Sequence, residues 1–167
     1  MRWVWIAVLA CAALPAASLA AATWATAARA DGLAAQCRAI GNDDTVRPYD
    51  PALHQGLAGA WTHLFGAQPA DPTMLRDQAN IRCMGGRLLA CFTGANLPCS
   101  RMNTSRHSQA GDAWCAGHTN SDFIPAYVTG HDTIYAWRCD GPTAQPTRQV
   151  FRLDRRGFAS SLWRPID

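Results

Sequence analysis

The sequence contains no lysine and no glutamate: all 15 basic residues are Arg and all 12 acidic residues are Asp. Ala and Arg are abundant beside them, so codon usage in a GC-rich genome is the simplest cause of the bias. The absence of Glu also bears on chemistry. A glycoside-cleaving pair of carboxylates would have to be two Asp, and no two stand at a suggestive spacing.

Other absences narrow the function further. There is no Cys-x-x-Cys pair, which removes the common zinc-thiolate sites and haem attachment. No Gly-x-Ser-x-Gly elbow occurs, and Gly85-Gly86 is followed by neither a Lys nor a helix start, so it is no phosphate loop. No repeat of solenoid length is present. Setting aside Arg2 and Arg29 leaves 13 Arg against 12 Asp, a balance of +1 with dispersed charge. Such a surface carries no electrostatic footprint for nucleic acid. The one dense basic cluster, Arg152, Arg155 and Arg156, is interrupted by Asp154 and fits a solvated turn.

What is present begins with an export signature. Arg2 supplies a positive start, no charge occurs from Trp3 to Ala28, and Ala28-Arg29-Ala30 offers the small residues a signal peptidase reads. Cleavage before Asp31 is expected, with Ser18-Leu19-Ala20 as a second site. The domain plan is therefore a signal peptide over 1–30 and one domain over 31–167, periplasmic or secreted. Two rivals use the same residues. An uncleaved apolar run would anchor the chain in a membrane, and Val8-Leu9-Ala10-Cys11 resembles a lipobox, although the apolar stretch continues beyond Cys11.

Along the mature chain, residues 33–40 suit a helical turn carrying Cys37, and 41–49 a polar loop. Asp50-Pro51 is an N-cap followed by the proline favoured at the first helical position. Leu53, Leu57, Trp61 and Leu64 then fall on one face of a helix over 51–65, and Gly66 stops it. Asp71-Pro72 opens a shorter helix. Residues 81–84 and 87–92, joined by Gly85-Gly86, predict a β-hairpin. Residues 94–108 form a long loop, 110–117 a short helix, and 123–128, broken by Pro125, an extended edge segment. A meander closes the chain, with strands over 133–139, 148–153 and 158–163. Helices first and an antiparallel sheet afterwards make the class α+β: an N-terminal helix on a small sheet of hairpin plus C-terminal meander.

Cys37, Cys83, Cys91, Cys99, Cys115 and Cys139 remain after the signal peptide, an even number that predicts three disulfides. In a two-residue turn Cys83 faces Leu88, which puts Cys83 and Cys91 on opposite faces of the ribbon with different partners. Cys99 with Cys115 is the one pairing the loops suggest. The segments ending Ile81-Arg82-Cys83 and Trp137-Arg138-Cys139 echo one another, hinting at similar strand positions for the two cysteines.

Of the five histidines, His54 and His63 lie nine apart on one helix and do not make a two-ligand site alone. His107, His118 and His131 lie elsewhere, a metal site would need three of the five histidines to converge, and no cofactor is expected. Residues 94–107 concentrate the polar candidates: Asn96, Arg101, Asn103, Ser105, Arg106 and His107, a set suited to a carboxylate or sugar. A connector whose Asn, Ser and Thr satisfy their own backbone is the plainer alternative.

The stretch from Ile81 to Trp163, with Asn96-Leu97-Pro98-Cys99, Tyr135-Ala136-Trp137-Arg138-Cys139 and Arg156-Gly157-Phe158, resembles small exported bacterial cysteine-rich proteins that carry no assigned activity. The resemblance implies export and a common fold, and no catalytic residue. The expectation is a non-enzymatic binding or accessory protein of the bacterial envelope, acting on an envelope protein or a small ligand. Its alternatives are a small periplasmic hydrolase using Ser105, His107 or His131 and an Asp, and a His-based metal-binding protein.

Overall fold

The computed structural model describes residues 17–66 and 68–166, with side chains from Trp24 onward. The expected n-region at Arg2 and the lipobox at Cys11 lie outside the described residues. The first element, α1 (Ala17–Ile40), is a continuous helix through the Ala30–Asp31 bond where cleavage is expected. Among the described residues, no helix is long and apolar enough to cross a membrane. From Asp31 onward α1 is anchored by its own side chains: Leu33 and Ala34 pack on the core and Cys37 is buried.

Asp50 caps the next helical segment as its sequence context requires. Its carboxylate accepts the Ala52 amide at 2.9 Å, a 3-10 turn covers Pro51–Leu53, and α2 (His54–Phe65) continues from it. Leu53 and Leu57 are buried and Trp61 and Leu64 pack against the same core. Asp71 caps α3 (Pro72–Gln78) in the same manner, accepting from Thr73 N at 2.7 Å.

The main sheet has the order β1-β2-β3-β6, with β1 (Asp43–Pro48), β2 (Ala79–Met84), β3 (Arg87–Phe92) and β6 (Arg164–Pro165). Its centre is the predicted hairpin. Gly85 and Gly86 take φ of +60° and +74°, the left-handed pair that a two-residue turn needs, and Cys83 lies opposite Leu88. Strand alternation then fills two cores. Ile81, Cys83, Leu88, Ala90 and Phe92 face the helices, while Cys91 joins Phe158 and Trp163 on the other side. Residues 41–49, expected as a loop, contain β1. An edge strand tolerates Asp43, Asp44 and Arg47 because one side of it meets water, and a bulge between Asp43↔Cys83 and Arg47↔Ile81 relieves its register.

The second unit is built on β4 (Tyr135–Asp140) and β5 (Thr143–Gln149), with α4 (Gln109–Cys115) and α5 (Ala126–Thr129) beside it. Its core is Cys115, Ile124, Trp137, Cys139 and Ala144. Three expectations are corrected here. The 123–128 segment runs along the edge of β4 only as far as Ile124, and after Pro125 it turns into α5. The second meander strand starts at Thr143 instead of Arg148, because Gly141 at φ +59° reverses the chain at once and Pro146 is tolerated in a strand of a two-stranded sheet. Residues 158–163 form no strand. They wrap beneath the main sheet, tied by the Leu153↔Ala159 bridge, and only Arg164–Pro165 adds to the ladder.

The disulfides are Cys37–Cys83, Cys91–Cys99 and Cys115–Cys139. All six predicted cysteines are therefore paired, and Cys83 and Cys91 have different partners. The Cys99–Cys115 pairing is wrong. Gly94 and Leu97 exchange backbone hydrogen bonds at 3.2 and 3.3 Å, folding the chain back so that Cys99 reaches Cys91, eight residues earlier. Cys115 on α4 then faces Cys139 on β4. The sequence echo has a structural meaning: Cys83 and Cys139 each sit on a strand and bond to a helical cysteine, Cys37 or Cys115. Three such bonds persist in oxidising compartments and not in a reducing cytosol.

Candidate functional site

Residues 94–108 are fastened to the body at several points. Met102 N donates to Gly157 O at 2.9 Å, Asn103 N to Asp132 O at 2.8 Å, and Ile134 N to Asn103 O at 3.1 Å. The polar side chains largely serve this course. Asn103 Oδ1 accepts the Ser105 amide at 2.9 Å. Ser105 Oγ donates to His107 O at 2.8 Å and accepts from His107 N at 3.1 Å, so its hydroxyl is engaged by backbone. His107 Nδ1 lies 3.7 Å from Asp112, whose other oxygen accepts Ala144 N at 2.7 Å.

Arg101 turns away from the other candidates and pairs with Asp44, which also accepts Arg156 Nε and Nη2 at 2.8 and 2.6 Å. These two guanidiniums hold the Asp44 carboxyl below the usual carboxylate range, Arg156 contributing most. Beneath this exposed cluster lies a buried one. The Arg82 side chain is wholly buried, pairs with Asp154, and places its guanidinium carbon 4.1 Å from the Phe158 ring centroid and 4.6 Å from that of Trp163. Burial lowers the Arg82 pKa and Asp154 opposes it. Arg82 Nε and Nη1 make no hydrogen bond, so stacking on the two rings supplies much of the contact.

Asn96 and Arg106 belong to a different place. Asn96 lines a cleft of about 510 Å³ with Phe123, Tyr127, His131, Tyr135 and Arg148. The Arg106 guanidinium carbon stands 5.2 Å from the centroid of the Tyr135 ring, on the border of that cleft. Phe123 is 63% and Tyr127 75% exposed, values that set these rings apart from the buried aromatics of the cores. The walls are made by α5, β4, β5 and the segment before Pro125. Tyr135 and Trp137 meet edge to face at 6.3 Å, and the Trp137 indole donates to Thr133 Oγ1 at 3.1 Å, which fixes the floor.

A smaller cavity of about 290 Å³ lies under α1, between Leu33, Ile40, Leu53, Ile81 and the Cys37–Cys83 bond. On its rim Asp43 is paired with Arg47 at 2.5 Å and Asp50 with Arg29 at 2.9 Å, a partner that the expected cleavage would remove.

The sequence-predicted set thus divides: Asn96 and Arg106 at the cleft, Arg101 at the Asp44 cluster, and Asn103, Ser105 and His107 in the local turns. The exposed rings Phe123 and Tyr127 and the cation Arg148 were not among the candidates. A signal for the rings existed in Phe123-Ile124-Pro125-Ala126-Tyr127, two aromatics flanking a proline that no strand could bury. Among the described residues, no three His, Cys, Asp or Glu side chains come together to hold a metal ion. Comparison with family models, with curated proteins and with solved structures finds no match to this chain.

Proposed function

We propose that this chain is a binding or accessory protein of the periplasm or the extracellular space, and that it works through the aromatic cleft between the 94–108 loop and the β4-β5 unit. The observation that carries the reading is the pair of exposed rings, Phe123 and Tyr127, over a cleft whose floor is fixed by a disulfide-stapled sheet. Exposed aromatic area costs a monomer solubility and is worth retaining where it meets a ligand. Ser105, the serine of the hydrolase alternative, is committed to the His107 backbone.

The test uses the protein purified from the envelope fraction of a producing cell. Its thermal unfolding is followed in the presence of envelope material separated into protein, saccharide and lipid fractions, because a ligand that binds only the folded state raises the midpoint. At least one fraction stabilises the wild type and leaves Phe123→Ala/Tyr127→Ala unaffected. Equal stabilisation of both proteins removes the cleft from the function. Turnover of an ester or peptide substrate that disappears in Ser105→Ala would establish the hydrolase instead.

A further inference from the structure

The chemistry of the cleft walls narrows what it takes. Resting on the binding role above, we propose that the ligand is a carboxylate-bearing saccharide, its sugar rings on Phe123 and Tyr127 and its carboxylate on Arg148.

Three observations lead there. The first is charge. Arg148 lines the cleft with no side-chain hydrogen bond or ion pair to any described residue, Arg106 stands over Tyr135 at its border, and none of the described residues lining the cleft is a carboxylate. An unopposed guanidinium beside apolar walls selects an anion, and its planar fork suits a carboxylate.

The second is the state of the backbone edges. On the outer side of β4, Cys139 N donates to Ser121 O at 2.7 Å and Ile124 N to Trp137 O at 3.0 Å, so the 121–124 segment already occupies it. On β5, Ala144 N is taken by Asp112 and Pro146 has no N–H. The outer edge of β4 and the first half of β5 therefore offer an extended peptide little ladder to join, and main-chain pairing is how peptides gain affinity beside a sheet.

The third is the mixture of surfaces. Phe123 and Tyr127 are largely exposed along the cleft, while Asn96, Thr129 and His131 supply hydrogen-bonding groups in the same lining. A sugar ring has the complementary mixture: a C–H face for the aromatic quadrupole and hydroxyls along its edge for polar groups.

The probe is tetragalacturonate, compared by calorimetry with its fully methyl-esterified form, which keeps the rings and loses the charges, and with a capped peptide of four Asp. Tetragalacturonate binds the wild type. The ester binds about tenfold more weakly or worse, the expected loss of a charge-assisted contact. Arg148→Ala lowers affinity for tetragalacturonate by a similar factor and leaves the weak ester binding unchanged, Arg148→Lys recovers part of it, and Phe123→Ala/Tyr127→Ala abolishes both. Circular dichroism and the thermal midpoint of each variant establish that it is folded. Equal affinity for acid and ester overturns the proposal, as does binding of the peptide but not the saccharide, or binding of neither. If an envelope fraction still stabilises the wild type through Phe123 and Tyr127 while neither saccharide binds, the ligand assignment fails and the binding role stands. If no fraction stabilises it, both fail.

Discussion

Arg82 and Asp154, 72 positions apart in the sequence, meet as an ion pair within the protein, with Phe158 and Trp163 against the guanidinium. Asp154 also accepts the amides of Arg156 at 2.8 Å and Phe158 at 3.1 Å, so it organises the turn that covers Arg82. Removing one member of a buried pair strands the other. Asp154→Ala should cost about 3–5 kcal/mol in urea denaturation. Arg82→Met combined with Asp154→Asn removes both charges while keeping an acceptor for the turn amides, and should cost much less. An equal loss in the two variants would mean that the charge pair is not what the turn depends on.

The disulfides make a graded prediction. The Cys37–Cys83 bond closes 46 residues and Cys91–Cys99 closes eight. In the chain-entropy account the longer loop contributes about 1.5 kcal/mol more. Serine replacement of the first pair should therefore lower stability more than replacement of Cys91 and Cys99. Peptide mapping without reduction should recover the three pairs described above and no free thiol among these six cysteines.

Acid should weaken the fold in a defined window. Asp43, hydrogen-bonded by Arg47 and by Thr45 N, has its pKa lowered to about 2, and Asp44, Asp50 and Asp71 are lowered as well. A carboxyl whose folded pKa lies below its unfolded value of about 3.9 stabilises the protein fully above that value and loses the contribution as pH falls. The thermal midpoint should be level from about pH 7 to 5 and decline from about pH 4 towards 2. Asp44→Asn should flatten part of that decline. A midpoint that fell mainly between pH 7 and 5 would mean that these carboxylates do not set the acid limit.

Two glycines are fixed by close approach. A Cβ on Gly56 would stand 2.5 Å from the Ile166 carbonyl oxygen, and one on Gly111 would stand 2.7 Å from the Ala144 Cβ. Gly111→Ala presses α4 off β5, and Gly56→Ala presses the chain end off α2. Each should lower stability by about 1–3 kcal/mol, whereas Gly59→Ala, with open space around it, should not. Chemical denaturation of the three variants decides this.

Export can be read from the protein's own terminus. N-terminal sequencing of the secreted form should begin at Asp31. Cleavage there discards Arg29 and with it the exposed pair to Asp50, a contact of small worth on the surface. The Asp50 cap on Ala52 N is retained, so Asp50→Ala should still cost about 0.5–2 kcal/mol in the processed protein.

Much of the local structure was legible. Asp50-Pro51 and Asp71-Pro72 carry their caps, Gly85-Gly86 carries its turn, and the Leu53, Leu57, Trp61, Leu64 spacing carries its buried face. Propensity and periodicity act over a few residues, and these signals stay within that range. What sequence did not disclose depends on partners far away. β1 exists because β2 offers it an edge, not because Asp43-Asp44-Thr45 favours a strand. The Cys99 pairing turned on the Gly94–Leu97 reversal, and the cleft on bringing 96, 123–131 and 148 together. Arg82 appears in sequence only as one residue of a hairpin strand, and its burial comes from the 154–163 wrap.

The crosslinks also divide the molecule mechanically. Cys37–Cys83 and Cys91–Cys99 lie within the main sheet and its loops, Cys115–Cys139 lies within the β4-β5 unit, and among the described residues no disulfide joins the two. Under a pull on its ends the seam that carries Asn103 and Ile134 would yield first, while loops of 46, eight and 24 residues stay locked behind sulfur. The cleft straddles that seam, with Asn96 on one bank and Tyr127 on the other. An occupant would clamp two separately stapled bodies together, so its presence would be felt as resistance to force as much as to heat.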